Sequence, residues 1–303
     1  MKKPLPDELM FLEHHNAIQK TTDATLQDKV IVITGATSGV GYEALKRIAH
    51  NPVRIFIVAR NLHKAQAVKS EFHHLPATIE FVIADFSSLH EVRRAAVEIR
   101  SQTQKIDILI NCAGLHSTKR ILTNDGHELV FAVNHLASFL FTQLLLDTLK
   151  ASSPSKILNI NSEGHRFNGL DITDLDWQKR HYTGLRGYGA SKTAQLLCTW
   201  ELNDQLAGTG VTINAMHPGD VKTNIGQNNG PLYRLFSKLV IQRILKNPEI
   251  SGNAIYYLIA DPSMEGVSGQ YYNLTHETKA AKHSLNRELG KTVYQISKEL
   301  CEL

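Results

Sequence analysis

Val30-Ile31-Val32-Ile33-Thr34-Gly35-Ala36-Thr37-Ser38-Gly39-Val40-Gly41 decides the fold: a β-branched apolar run breaks into three glycines, and helix formers then resume. A turn of this kind is glycine-rich because it is tight and because its backbone has to approach a pyrophosphate closely. The helix that follows offers the anion unpaired N–H groups and the positive end of its dipole. Glycine-rich turns without ligands are common. Here the weight comes from position, between a buried strand and a helix at the first crossover of a βαβ pattern. The spacing Gly-x-x-x-Gly-x-Gly, at Gly35, Gly39 and Gly41, differs from the Gly-x-Gly-x-x-Gly of many other dinucleotide sites. Thr37, Ser38 and Val40 fill the turn and count with the glycines as dinucleotide contacts.

Outward from this turn the pattern repeats. Near-continuous apolar runs, as in strands buried on both faces, occur at Val30–Thr34, Arg54–Val58, Ile79–Ala84, Ile106–Asn111, Ile157–Asn161, Val211–Met216 and Gln270–Asn273. Helical patterns lie between them at 40–50, 62–74, 88–103, 124–150, 188–207 and 249–260. Right-handed crossovers then predict a single α/β domain of doubly wound Rossmann type, with a sheet of about seven parallel strands and helices on both faces. It spans 28–303. Residues 1–27 stand outside the rhythm, with a helix pattern from Asp7 to Lys20 and then a polar linker. They form either an arm laid on the domain or a disordered leader. A last helix runs from Ser284 to Glu302, with Leu285, Leu289, Val293, Ile296 and Leu300 along one face.

Composition narrows the class. The chain is 42% hydrophobic and 20% charged with a net charge of +4, and no block of like charge runs to five residues, which excludes nucleic acid as a partner. Cys112, Cys198 and Cys301 form no C-x-x-C pair, so neither a disulfide framework nor a metal site is expected. No unbroken apolar run of about 18 residues exists for an integral membrane segment, and the N-terminus lacks the apolar core of a secretory signal. A cytoplasmic protein acting on a small molecule is the expectation.

The strand ends carry the candidate site. After the second strand come Arg60 and Asn61, where a carboxylate would hold the ribose of NAD. A guanidinium there favours a 2′-phosphate, hence NADP(H) over NAD(H); otherwise Arg60 is a solvated loop residue. Asp85, before Phe86, either meets the adenine amine or starts the next helix. Asn111, Ala113 and Gly114 close the fourth strand with small residues over which a cofactor can lie flat. Pro218, Gly219, Val221 and Thr223 follow the sixth strand, with a turn and a hydroxyl for a carboxamide.

Tyr188 and Lys192 lie four residues apart on one helix face. A phenol of pKa about 10 is a poor acid–base at neutral pH, and a nearby ammonium lowers it. Alone, such a pair is most often a solvated helix face. Two neighbours change the weighing. Ser162 ends the fifth strand, as a holder of substrate oxygen or a strand-end cap. Asn134 is a polar residue in an apolar helix, either satisfying a backbone group or ordering water next to Lys192.

In order, the glycine motif, Asn-x-Ala-Gly, the helix Asn, the strand Ser, Tyr-x-x-x-Lys and Pro-Gly resemble the short-chain dehydrogenase/reductase family over residues 28–275. The stretches Asn134-His135-Leu136-Ala137-Ser138-Phe139-Leu140 and Val58-Ala59-Arg60 look most like its retinol dehydrogenase and protochlorophyllide reductase-like branch. So does the long gap from Ser162 to Tyr188, where an insertion carries Asp171, Asp174, Asp176 and Trp177. One departure is Cys112, where a second Asn is common. The resemblance implies hydride transfer between NADP(H) and a carbonyl or alcohol. Tyr188 would be the acid–base, Lys192 would lower its pKa and bind the nicotinamide ribose, Ser162 would hold the oxygen and Asn134 would support a water relay. It also implies a substrate cap at 226–246, whose apolar weight hints at a lipophilic substrate, and a homodimer or homotetramer. The alternative is a cofactor-binding sensor or scaffold without turnover; such proteins generally lose the Tyr or the Lys, and this chain keeps both.

Overall fold

The apolar runs form one eight-stranded sheet in the order β3-β2-β1-β4-β5-β6-β7-β8. The computed structural model describes residues 17–221 and 247–303. The strands are β1 (Val30–Thr34), β2 (Arg54–Ala59), β3 (Thr78–Ile83), β4 (Ile108–Asn111), β5 (Ser155–Ile160), β6 (Val211–His217), β7 (Tyr271–Asn273) and β8 (His276–Glu277). The first seven run parallel, and β8 returns antiparallel on β7. β1 lies between β2 and β4, so crossovers leave it in opposite directions and open a crevice at the carboxyl ends of the strands. The expected sheet of about seven parallel strands thus gains a two-residue edge strand, too short to have a readable period.

The helices are α1 (Gly39–Ile48), α2 (Leu62–Glu71), α3 (Leu89–Gln102), α4 (Leu129–Ala151), α5 (Gly184–Gln205), α6 (Glu249–Ala260) and α7 (Arg287–Leu300). Alternation along each strand assigns them to faces. Ile31, Ile33, Ile55 and Ile57 pack with α1, α2 and α6. Val30, Val32, Phe56 and Val58 pack on the other side with α3, α4 and α5, and Val293 and Tyr294 add α7 to that layer. Each fully buried Ile contributes roughly 1.5–3 kcal/mol.

Three local differences from the sequence pattern have physical causes. First, α4 begins at Leu129, later than the periodicity suggests: Glu128 pairs with Leu122, and its carboxylate caps the N–H groups of Val130 and Phe131. Its apolar stretch is 78% buried, as in a core helix, although its length and hydropathy would suffice to cross a membrane. Second, a π-helical turn interrupts α4 at Ala132–Leu136 and centres on Asn134. Third, residues 17–28 are an arm laid on the domain. Ala17–Lys20 are not helical, because tertiary partners take their polar groups: Lys20 N–H donates to Thr275 Oγ1 at 2.9 Å and Gln19 Oε1 accepts from Thr275 N–H at 3.1 Å. Leu26 N–H donates to Asn51, and Tyr256 donates to the Ala24 carbonyl. The remainder of the predicted helix from Asp7 lies outside the described residues.

At the crevice, β1 and β4 are tied by Thr34. Its buried hydroxyl accepts from the N–H groups of Cys112 (3.0 Å) and Ala113 (2.9 Å). Thr34→Val keeps the shape and removes the acceptor, so denaturant unfolding should show a loss of about 1–3 kcal/mol; an unchanged midpoint would contradict this role for the hydroxyl.

Candidate active site

The crevice holds a cavity of about 480 Å³ that runs from the β1 turn to α5. At its first end the backbone leaves no space for side chains. Gly35 has φ of +71°, and a Cβ there would lie 2.8 Å from the Ala113 Cα. A Cβ at Gly41 would lie 2.6 Å from the Gly35 carbonyl oxygen, so α1 starts directly against the turn. Ser38 precedes α1 with extended backbone, and its side chain makes no capping bond to the helix. The first N–H groups of α1 therefore face the cavity as an anion cradle, with Thr37, Ser38, Gly39 and Val40 around it. A dinucleotide phosphate fits this end.

Next along the cavity come Arg60, Asp85 and Phe86. Asp85 accepts from the Ser87 N–H at 2.9 Å, while Ser88 caps α3. Asp85 thus holds the loop and does not start the helix. Asn61, expected as a cofactor contact, caps α2 by accepting from Lys64 N–H at 3.0 Å and does not line the cavity. Its cap in turn aims the first turn of α2 back at the strand ends, which brings in Lys64, a cation that the motif reading passed over. Its signal is its place four residues after Arg60 on a helix that starts between them.

Ala113 and Gly114 line the middle, with the Asn111 side chain behind them. Its amide nitrogen donates to Thr142 and Asn159, both at 2.8 Å, in a buried polar layer behind the cavity. Asn159 continues this layer to Thr199 (2.9 Å), and Asn161 donates to Gln195 (2.9 Å) and to the Lys192 carbonyl (3.0 Å). Asn134 belongs to the same layer. Its side chain accepts from Leu115 N–H at 2.8 Å and donates to the Leu115 carbonyl (3.0 Å) and Ser191 (3.1 Å), so it holds the loop after β4 and does not face the cavity.

The far end gathers Ser162, Tyr188 and Lys192. Ser162 caps a short 3-10 turn by accepting from Gly164 N–H at 3.1 Å, and its hydroxyl lies close enough to Tyr188 to favour the phenolate. The Tyr188 ring rests on Gly164, where a Cβ would come within 3.0 Å of it. Lys192 donates to the Ile160 carbonyl at 2.8 Å, with its ammonium 5.9 Å from the Tyr188 ring centre. Burial lowers the Lys192 pKa to about 8. The expected lowering at Tyr188 is not found. Burial of the phenol raises its pKa, the Ser162 hydrogen bond acts against this, and the lysine ammonium is committed to Ile160. Cys112 lies close by, its thiol pushed up to about 12 by burial, which makes it a poor nucleophile.

Pro218, Gly219 and Val221 line the cavity beside Asp220 and His217; Thr223 and the capping segment 226–246 lie outside the described residues. His217 accepts from Glu163 N–H at 3.4 Å, and burial lowers its pKa, so it is neutral. Glu163 forms a buried ion pair with Arg166 and accepts from Tyr271 at 3.3 Å, so the turn after Ser162 is locked to β7. Sequence spacing offers no sign of this lock. The insertion folds around Asp174, which accepts from the N–H groups of Gln178 and Arg180, with the Arg180 guanidinium 4.1 Å from the Trp177 ring centre.

Residues 29–232 match the family described as short chain dehydrogenase. Among characterised proteins, the chain is 34% identical to retinol dehydrogenase 13 of Homo sapiens, over 92% of this chain and 86% of that one. It is 33% identical to retinol dehydrogenase 12 of Mus musculus, over 92% and 88%. A crystal structure of an uncharacterized protein from Mycobacterium paratuberculosis superposes with a TM-score of 0.77 at 23% identity, covering 94% of this chain and 98% of that one. A short chain dehydrogenase from Burkholderia cenocepacia, in complex with NADP, gives 0.65 at 22% identity over 84% and 98%.

The Lys192 shift has a testable sign. With its pKa lowered from 10.5 to about 8, the unfolded chain binds more protons between those values, so stability rises with pH across that window. Lys192→Met should therefore be more stable than wild type at pH 7 by up to about 3 kcal/mol, with the difference vanishing above the ordinary lysine pKa. A difference independent of pH would contradict the buried ammonium.

Proposed function

The chain belongs to the short chain dehydrogenase family, and from that premise we propose that it is an NADP(H)-dependent oxidoreductase interconverting a lipophilic carbonyl compound and its alcohol, with Tyr188 as the acid–base. One observation carries this reading. Ser162 from the end of β5 and Tyr188 and Lys192 from α5 converge at one end of a cavity whose other end is a glycine-lined phosphate cradle. Relatives named retinol dehydrogenase support a lipophilic alcohol or aldehyde as the substrate class.

When bound, the dinucleotide supplies the hydride to the carbonyl carbon in reduction and accepts it in oxidation. The chain's own residues handle the oxygen and its proton. The Ser162 and Tyr188 side chains line the same end of the cavity, so their hydroxyls meet the substrate oxygen together. A phenol whose pKa is raised keeps its proton at neutral pH, which suits a donor to the nascent alkoxide. The proton moves from Tyr188 to that oxygen as the C–H bond forms, and the product is the neutral alcohol. In oxidation the phenol has to be deprotonated, and the buried Lys192 charge favours that form. Asn134 is a positioning residue: it fixes the Leu115 loop against the cavity.

Arg60 and Lys64 support the choice of NADP(H). Two exposed cations, Arg60 just after β2 and Lys64 in the first turn of α2, line the cavity, where a 2′-phosphate would gain charge-assisted hydrogen bonds.

Tyr188→Phe should lower kcat by about 10²–10⁴-fold while cofactor titration remains near wild type; retained turnover would remove Tyr188 from the reaction. Arg60→Asp should weaken NADPH binding much more than NADH binding, and adding Lys64→Asp should widen the gap. Equal losses for the two cofactors would overturn the preference.

A further inference from the structure

His165 lies in the turn that Ser162 caps, fully buried and outside the cavity lining, and the proposed chemistry gives it no part. Both of its ring nitrogens are engaged. Nδ1 lies 2.7 Å from the Ser162 carbonyl oxygen, and Nε2 lies 3.0 Å from the backbone nitrogen of Ala281. A backbone N–H can only donate, so Nε2 is the acceptor. Burial lowers the imidazole pKa to about 4, so the ring is neutral and its one N–H proton sits on Nδ1, donated to Ser162. The tautomer is thus set by the chain on the far side of the ring. Tyr271 of β7 meets the imidazole edge to face, with centres 5.1 Å apart, and holds its plane.

The segment that follows β8 grips the same turn at two more points. The His165 carbonyl accepts from His283 Nε2 at 2.7 Å, and the Arg166 guanidinium donates to the Lys279 carbonyl at 2.7 Å. Residues 279–283 therefore lie along the turn as a strap. On the side of α5, Thr193, next to Lys192, donates to the His165 carbonyl at 3.3 Å, and Gly164 lies against the Tyr188 ring with no room for a Cβ. The Ser162 hydroxyl and carbonyl are bonded within the turn, to Gly164 N–H at 3.1 Å and to His165 N–H at 3.2 Å. Through the imidazole these local bonds are tied to Ala281, 116 positions away.

Building on the carbonyl–alcohol reading above, we propose that His165 is a positioning residue for the reaction: its imidazole carries the place of the 279–283 strap to the Ser162 backbone and so sets the Ser162 hydroxyl toward the substrate oxygen. It touches no substrate and takes no proton in the reaction. The bond from Nδ1–H to Ser162 does the positioning, and the bond from Ala281 decides which nitrogen carries the hydrogen.

Two amides separate the two ring nitrogens. Asn places its NH2 near the position of Nδ1 and keeps a donor for Ser162; Gln reaches the position of Nε2, keeps an acceptor for Ala281 and loses that donor. With NADPH oxidation followed for the full chain on cyclohexanecarbaldehyde, His165→Gln should lower kcat by about 10–100-fold, as a small misplacement near the reacting oxygen can. NADPH titration should stay near wild type, since the cradle lies at the other end of the cavity. His165→Asn should recover most of the lost kcat although it gives up the Ala281 bond. In a Ser162→Ala background, His165→Gln should cost no more than about twofold further, because the group it positions is gone. A merely structural residue behaves otherwise: kcat follows the melting temperature in both variants, and the Gln loss multiplies with that of Ser162→Ala. Either result overturns the proposal, and an inactive Tyr188→Phe alongside it leaves the reductase reading intact. Absence of turnover in wild type, or turnover that survives in Tyr188→Phe, removes that reading and this proposal with it.

Discussion

A polar layer buried between the sheet and the helices on one face is the constraint on which the rest of the site depends. Asn111, Asn134, Thr142, Asn159, Asn161, Gln195 and Thr199 are all buried, and unpaired amides at such depth would each cost a few kcal/mol. They avoid most of that cost by bonding to one another across β4, β5, α4 and α5. Hydrogen bonds are directional where apolar packing is not, so the layer permits little sliding of α5 along the sheet. Tyr188 and Lys192 ride on α5, and Ser162 on the end of β5. Their mutual placement is therefore decided one layer below the reacting atoms. The π-helical turn of α4 belongs to the same arrangement: it carries Asn134 and directs the amide at Leu115 and Ser191.

The cavity is graded in polarity along its length. The cradle and the exposed cations Arg60 and Lys64 offer strong, solvent-screened attraction to an anion. The opposite end is buried, and there the same kind of charge behaves differently. Lys192 is so reluctant to ionise that its pKa falls to about 8. One end anchors a charged molecule while the other is poised for proton movement. Glu163 and Arg166 stiffen the second end by pairing beneath the Ser162 turn, and Tyr271 carries that pairing into β7.

What the sequence made legible followed from period and from steric need. The buried β-branched runs give the strands, the alternation within them assigns both faces, and Gly35 and Gly41 mark two places where a Cβ would strike backbone. Tyr188, Lys192 and Ser162 were readable because topology delivers every strand end and the start of α5 to one edge. Partner choice was not readable. Asn61 follows β2 and Asn111 ends β4, yet each side chain satisfies a local need, a helix cap in one case and the polar layer in the other. The two-residue β8 has no period, and the π turn leaves the hydrophobic pattern of α4 unaltered. The direction of the Tyr188 shift was missed for a similar reason: spacing places an ammonium four residues away without saying that a carbonyl will take it.

The arm at residues 17–28 has a consequence for the order in which the molecule is made. Its docking partners include Arg47, Asn51 and Pro52 nearby in sequence, and Tyr256, Thr275 and His276, which leave the ribosome 232 or more positions after the residues they hold. During synthesis the arm emerges before α6 and the β7–β8 hairpin, and it is fully seated only once they exist. These contacts span up to 258 positions of sequence, and loop closure over such a distance is paid only once the intervening domain has drawn the ends together. The arm is thus a seal applied to a finished sheet. Its seating reports that α6 and the last strands are in place.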